Sequence, residues 1–166
     1  MTNIRTWINL VEKIDKEREF YINQANEFRA EQKLWWPVSP ELMDIYRDGS
    51  HSFKDAMSAL HWYKNDQKHR DGDKPAEIYA DGRLAWFKNG RHHRDGDKPA
   101  EIWADGTLVW YKNGELHRLR GPAFIDAHNK FQWYFKGKQI PVNSQEEYLQ
   151  WLEKNGHVDV YRLRKS

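Results

Sequence analysis

His92–Gly114 reads HHRDGDKPAEIWADGTLVWYKNG, and His69–Gly90 just before it reads HRDGDKPAEIYADGRLAWFKNG. One segment nearly copies the other. Trp62, Trp86 and Trp110 stand 24 residues apart, and His69-Arg70, His93-Arg94 and His117-Arg118 keep the same step. Pro75-Ala76 and Pro99-Ala100 follow it too, whereas Pro122-Ala123 comes one residue early because RDGDKPA has become RLRGPA. Trp133-Tyr134 closes the series. A fixed period in this range marks a repeat architecture, in which each unit buries its apolar side against its neighbours.

Turn chemistry sets the local structure of each copy. Asp81-Gly82 and Asp105-Gly106 sit between apolar runs, and Asp-Gly in that setting predicts a two-residue type I′ hairpin. Asn89-Gly90 and Asn113-Gly114 predict a second turn per copy. The chain should therefore form an antiparallel meander. A two-residue loop at Asp81-Gly82 would set Tyr79 opposite Leu84 and Glu77 opposite Trp86, and opposed residues share a face. On that register Tyr79, Leu84, Glu77 and Trp86 share one face, as do Trp103, Leu108, Glu101 and Trp110. Ile78, Ala85, Ala76 and Phe87 take the other, and Tyr63, Phe87, Tyr111 and Tyr134 line up in series. Both faces are rich in apolar residues, so something must cover the second.

The ends supply covers. Ile4, Trp7, Val11, Ile14, Tyr21, Ala25 and Phe28 recur at steps of three and four, interrupted by Arg18. This predicts one long amphipathic helix or two shorter ones, capped by Thr2 or Asn3 and ended by Leu34–Pro37. Ser39-Pro40-Glu41 suits the start of a short helix. Ser144-Gln145-Glu146-Glu147 is a capping box opening a helix to about Lys154, with Tyr148, Trp151 and Leu152 inward and Gly156 as its stop. His157–Arg164 reads as a last strand or a tail. Gly49–Leu60 fits either a degenerate first repeat or a helix. The expected fold is α+β, mainly β. Residues 1–58 form an N-terminal helical region, 59–142 the tandem hairpin repeats, and 143–166 the C-terminal helix and tail.

Composition narrows the function classes. The 166 residues include 24 aromatics (nine Trp, eight Tyr, seven Phe), and the net charge is only +2. That bias is too weak to predict nucleic-acid binding from charge. With no cysteine, disulfides and Cys-based zinc sites or nucleophiles are excluded. MTNIRTWINLVEKIDKEREF lacks the unbroken apolar run of a signal peptide, and no stretch approaches the ~18 apolar residues of a membrane span. A cytoplasmic protein is expected.

The pattern W-Y-K-N-G-x-x-H-R-x-x-G-P-A resembles the MORN-like hairpin repeats of bacteriophage and giant-virus proteins. The closing WYFKGKQIPVNSQEEYLQWL is similar to the way such arrays end. The resemblance covers about Leu60 to Leu152. Standard MORN repeats carry a G-x-G where this chain has His-Arg and Gly-Pro-Ala, so lipid binding does not carry over. The resemblance implies a small phage-type accessory protein that binds a host protein, either inhibiting a defence factor or being sensed by one.

The residues themselves point the same way. His69, His93 and His117 form a ladder, with His92 beside it. A metal could use such a ladder, but each His is followed by Arg, so stacking of the repeat is the preferred reading. Glu77 and Glu101 are paired carboxylates of the kind glycoside hydrolysis uses. They occupy equivalent positions in successive copies, and Phe124 replaces them in the third, so a structural partnership is preferred. No catalytic residue, metal or cofactor is expected. Aromatic residues with interleaved Arg can stack bases, which is the alternative reading. Trp, Tyr and Arg also dominate protein interfaces. The expected contact surface comprises Tyr79, Trp103, Trp86, Trp110, Glu77 and Glu101 with the His69-Arg70, His93-Arg94 and His117-Arg118 edge. The partner would be a host protein, with no membrane and no nucleic acid, and the chain itself a monomer or homodimer.

Overall fold

The structure, a computed structural model, describes residues 4–34, 44–45, 50–54 and 59–157. The expected caps at Thr2 or Asn3, the helix start at Ser39-Pro40-Glu41 and the tail beyond His157 lie outside the described residues. The chain is α+β and mainly β: an antiparallel meander between an N-terminal and a C-terminal helix.

Helix α1 (Ile4–Leu34) is one unbroken element. β1 (Asp44–Ile45) and β2 (Ser50–Lys54) follow and join the sheet edge. Part of Gly49–Leu60 is therefore strand, and the expected helical region over 1–58 contributes to the sheet as well. β3 (Leu60–Lys64) and β4 (Gln67–Lys68) form the first hairpin. The next copies supply β5 (Glu77–Ile78), β6 (Leu84–Ala85), β7 (Phe87–Lys88), β8 (Arg91–His92), β9 (Glu101–Ile102), β10 (Leu108–Val109), β11 (Tyr111–Lys112) and β12 (Glu115–Leu116). β13 (Phe124–Ile125), β14 (Phe131–Phe135), β15 (Lys138–Ile140) and α2 (Gln145–Lys154) complete the order. The main sheet runs β1-β2-β3-β5-β6-β9-β10-β13-β14-β15. β7–β8 and β11–β12 are separate hairpins.

The tryptophan of each copy is the junction between main sheet and side hairpin. Trp86 N–H donates to Ala100 O in the main sheet, while its carbonyl accepts from His93 N–H. Trp62 and Trp110 do the same with Ala76 and His69, and with Ala123 and His117. Each side hairpin closes on a two-residue turn with φ positive at both positions: Asn89 and Gly90 at 51° and 75°, Asn113 and Gly114 at 55° and 89°. Those are type I′ turns. One backbone–backbone bond joins each hairpin to the one before it, Gly90 N–H to Lys68 O and Gly114 N–H to His92 O.

The Asp-Gly turns are different, and they correct the expected register. Tyr79 N–H donates to Arg83 O and Gly82 N–H to Tyr79 O, so the loop is Ala80-Asp81-Gly82, three residues rather than two. Gly82 alone takes positive φ, and Asp81 Oδ1 accepts from Arg83 N–H at 2.9 Å. This is the type I turn with a left-handed third residue. One residue of slip exchanges the faces. Ile78 now opposes Leu84, and Glu77 opposes Ala85. The chain of pairings Leu60–Ile78–Leu84–Ile102–Leu108–Ile125–Phe131 crosses the sheet as one apolar row. The parallel row is His61–Glu77–Ala85–Glu101–Val109–Phe124–Gln132. Leu84 and Trp86 therefore do not share a face with Tyr79 and Glu77, and Leu108 and Trp110 do not share one with Trp103 and Glu101.

Helix α1 covers the apolar row. Ile14, Tyr21 and Ala25 pack with Ile78, Leu84, Trp86, Ile102, Leu108, Trp110 and Ile125 in the main core. Arg18, which breaks the apolar stripe of the helix, donates to the carbonyls of Gly106 (3.1 Å) and Asp126 (2.7 Å) in two successive loops. On the other face Phe87 packs on Ala76 and Ala85. The second core joins Trp133, Phe135 and Ile140 to Tyr148, Leu149 and Leu152 of α2. Ser144 Oγ caps α2 by accepting from Glu147 N–H, and the Glu147 carboxylate accepts from Asn143 N–H.

Candidate functional site

Of the repeated arginines, Arg94 and Arg118 bond to the helix. Arg94 lies flat on Trp86, with its guanidinium carbon 3.9 Å from the ring centre, and Arg70 and Arg118 repeat the stack on Trp62 and Trp110 at 3.8 and 3.9 Å. The Arg94 side chain is 1% exposed. It donates to both Asp73 carboxylate oxygens (2.7 and 3.1 Å), to Pro99 O and to Gln24 Oε1 (2.7 Å). Arg118 repeats this with Asp97 and with Glu17 Oε1 at 2.6 Å. Glu17 and Gln24 are seven residues apart, a rise of about 10.5 Å along a helix. Successive copies are two strands apart, roughly 9.5 Å. The helix and the array therefore share a step, and the helix runs from the later copies toward the earlier ones.

The histidines bind the side hairpins. His69 Nδ1 and His93 Nδ1 accept from the backbone N–H of Asn89 (3.2 Å) and Asn113 (3.1 Å) one copy on, and His117 Nδ1 accepts from Lys136 N–H (3.1 Å). Nε2 of His69 and His93 meets Asp71 (2.9 Å) and Asp95 (2.8 Å). An Nδ1 that accepts carries no proton. For His117, burial and the nearby Lys112 and Lys136 lower the pKa below its ordinary value, against the opposing pull of Glu115 and Asp97. The folded state thus binds a proton less readily than the unfolded one. Stability from this site is full above about pH 6.5 and falls as pH drops through the lowered folded value. Thermal melts from pH 7.5 downward should show that loss, and His117→Asn should have a shallower slope over the window.

Glu77 and Glu101 are buried, and each holds its own partner set. Glu77 accepts from His61 Nδ1 (2.9 Å), from Lys68 Nζ and from the Tyr79 hydroxyl. Glu101 accepts from Trp103 Nε1 at 3.0 Å, with Arg83 Nη1 4.0 Å away. His92 Nδ1 is 2.9 Å from Glu101 Oε1, an ion-pair distance, although its N–H is turned off that line. Burial pushes both carboxyls up, but Lys68, Tyr79 and His61 around Glu77, and His92, Trp103 and Arg83 around Glu101, outweigh it and hold both below the usual range. Lys68 and His92 are equivalent positions, and the third copy has Leu116 there and Phe124 in place of the glutamate. The polar pair is exchanged as a pair, which marks it as packing. In a double-mutant cycle, His92→Leu alone should cost about 2–3 kcal/mol by exposing a buried carboxylate to loss of its partner. Adding Glu101→Phe should recover at least about 1 kcal/mol, read from urea midpoints.

Of the twelve expected surface residues, Trp86, Trp110, Glu77, Glu101, His93, Arg94 and Arg118 are buried, and they hold copies and helix together. Tyr79 and Trp103 occupy equivalent places at the hairpin tips of the first two copies. Trp103 is 39% exposed, its indole N–H anchored on Glu101. Arg83 lies 3.8 Å above the Tyr79 ring and 5.7 Å from that of Trp103. Trp103 and Phe20 are the exposed large apolar side chains among the described residues. Phe20 belongs to α1, on the opposite side of the sheet. Sequence reasoning missed Arg83, Lys68, Gln24 and Glu17. The pairing of position 68 with 77, and of 92 with 101, was the available signal. Among the described residues no group of His, Asp and Glu is arranged to hold a metal ion, and no helix is long and apolar enough to cross a membrane. Comparison with protein-family models, curated proteins and solved structures finds no match.

Proposed function

We propose that this chain is a non-enzymatic protein-binding module, an accessory protein of the phage-encoded kind that acts in the host cytoplasm. Its partner on this reading is a host protein, a defence factor that it inhibits or that senses it. The observation that carries the reading is the exposed Trp103 indole, fixed by Glu101 beside Arg83 and Tyr79. Trp, Tyr and Arg supply most interface hot spots, and side chains already held in place lose less conformational entropy on binding. The repeated basic residues support this over base stacking, because Arg94, Arg118, Lys64 and Lys88 are each held in an ion pair.

The test immobilises the full chain and captures partners from nuclease-treated bacterial lysate, with Trp103→Ala and Arg83→Thr alongside. Thr107 holds the Arg83 position in the second copy, so that substitution has a precedent within the fold. Each variant must melt within a few degrees of the wild type. One protein retained by the wild type and by Phe20→Ala, but lost from both variants, supports the reading. Retention unchanged in both variants overturns this surface. Retention of nucleic acid alone, in lysate left untreated, favours the base-stacking alternative.

A further inference from the structure

Two clefts of about 340 and 300 Å³ lie between successive copies, one between the first and second and the other between the second and third. They are built from equivalent residues, so their differences are informative. In the first cleft Lys88 Nζ meets Asp95 (3.0 Å), and His93 Nε2 donates to the same carboxylate (2.8 Å). The Lys64, Asp71 and His69 set repeats that triad one copy earlier. In the second cleft the lysine and histidine persist as Lys112 and His117, but Leu119 stands where the aspartate should be and Arg120 where the glycine should be.

The exchange removes one acid and adds one cation. Lys112 and Arg120 are exposed and have no acidic partner among the described residues. His117 Nδ1 already accepts from Lys136 N–H, so its proton sits on Nε2, and that donor has no acceptor among the described residues. Three donors thus line one cleft without the carboxylate that neutralises the equivalent set twice elsewhere. Asp95 lines the cleft on its far side but is held by Lys88 and His93. Asp97 is held by Arg118.

We propose that the cleft between the second and third copies is an anion site for a phosphate group, bound by Lys112, Arg120 and the Nε2–H of His117. A tetrahedral dianion takes up separated donors in three directions, and charge-assisted bonds to phosphate are the strong ones. The site is independent of the Trp103 surface.

The test follows the His117 ring nitrogens and the backbone amides of residues 116–121 by NMR in the full chain at pH 7.5. Inorganic phosphate is titrated at constant ionic strength, then O-phosphoserine, with acetate as the planar control. The expected result is a saturable shift at His117 and Arg120, with His69, which lies outside this cleft, unmoved and acetate at least about tenfold weaker. Saturation by inorganic phosphate identifies a free-anion site, and saturation by phosphoserine alone identifies an ester site; either supports the proposal. Leu119→Asp with Arg120→Gly rebuilds the triad of the second copy and should abolish the shift while the fold stays intact. No saturable shift with either probe, equal shifts at His69, or binding that survives in the rebuilt variant would overturn it.

Discussion

Arg94→Ala is expected to destabilise the protein by about 3–5 kcal/mol, the range for breaking a buried ion pair from one side. The side chain has no exposed route to compensation. It is bidentate with Asp73, donates to Pro99 O and Gln24, and covers the Trp86 ring. Removing it leaves the half-buried Asp73 carboxylate with only Lys98, strips a bond from the helix and opens a void over the indole. Asp73 is held below the usual carboxylate range because Arg94 and Lys98 outweigh its burial. The stability that this pair contributes is lost as pH falls, so Arg94→Ala should show a shallower acid dependence, and the gap to the wild type should narrow on acidification. Arg94→Lys keeps the charge but not the planar fork, and should recover only a minor part of the loss. Urea unfolding at neutral pH measures both variants.

The second large effect is Trp110→Ala, also about 3–5 kcal/mol, the range for truncating a buried aromatic side chain. Trp110 is among the largest fully buried side chains. Its ring meets Tyr21 of α1 edge-on with centroids 6.4 Å apart, carries Arg118 on its face, and its Nε1 donates to Asp97 O at 3.1 Å. The backbone bonds at the junction survive the substitution, so the loss reports packing and the indole donor alone. Tyr21, whose hydroxyl is pushed up to about 12 by burial and by Glu17, should titrate closer to its ordinary value in this variant. Trp110→Ala and Arg118→Ala should not add, because each removes the same stack.

Much of the fold was legible in the residues. The 24-residue period, the Asn-Gly turns and the Ser144 cap each depend on local chemistry, and local chemistry is what a sequence states directly. The register depends on something subtler. Asp-Gly suits either a two-residue loop with two left-handed positions or a three-residue loop with one. The third copy held the clue: it writes Ala127-His128-Asn129 at this place, and only Asn129 there takes positive φ. Asn, Asp and Gly are the residues preferred at the first position of a turn with two left-handed residues, and histidine is not among them.

The site was less legible, because burial of a charged residue is a property of the assembled layers. Nothing in His-Arg alone says that the arginine turns inward. It does so because the junction tryptophan offers a flat partner, because Asp73 and Asp97 sit one copy back, and because Glu17 and Gln24 recur on α1 at the array's own step. Glu17, Arg18 and Gln24 look like breaks in an apolar stripe until the arginines and loop carbonyls that face them are in view. Trp103 was legible as an aromatic candidate but not as the exposed one. Its partition from Trp110 follows from the three-residue loop.

The central claim is that the repeated arginines make helix and array one cooperative body. Native-state hydrogen exchange measures this directly. If the claim holds, the amides of Glu17–Ala25 in α1 and the junction amides of Trp86 and Trp110 exchange with the same opening free energy, and that energy equals the global stability from urea unfolding. Arg94→Lys should lower both sets together. Helix amides that open at a markedly lower free energy, or that stay unchanged in Arg94→Lys while the sheet amides fall, would show an independent helix and contradict the account.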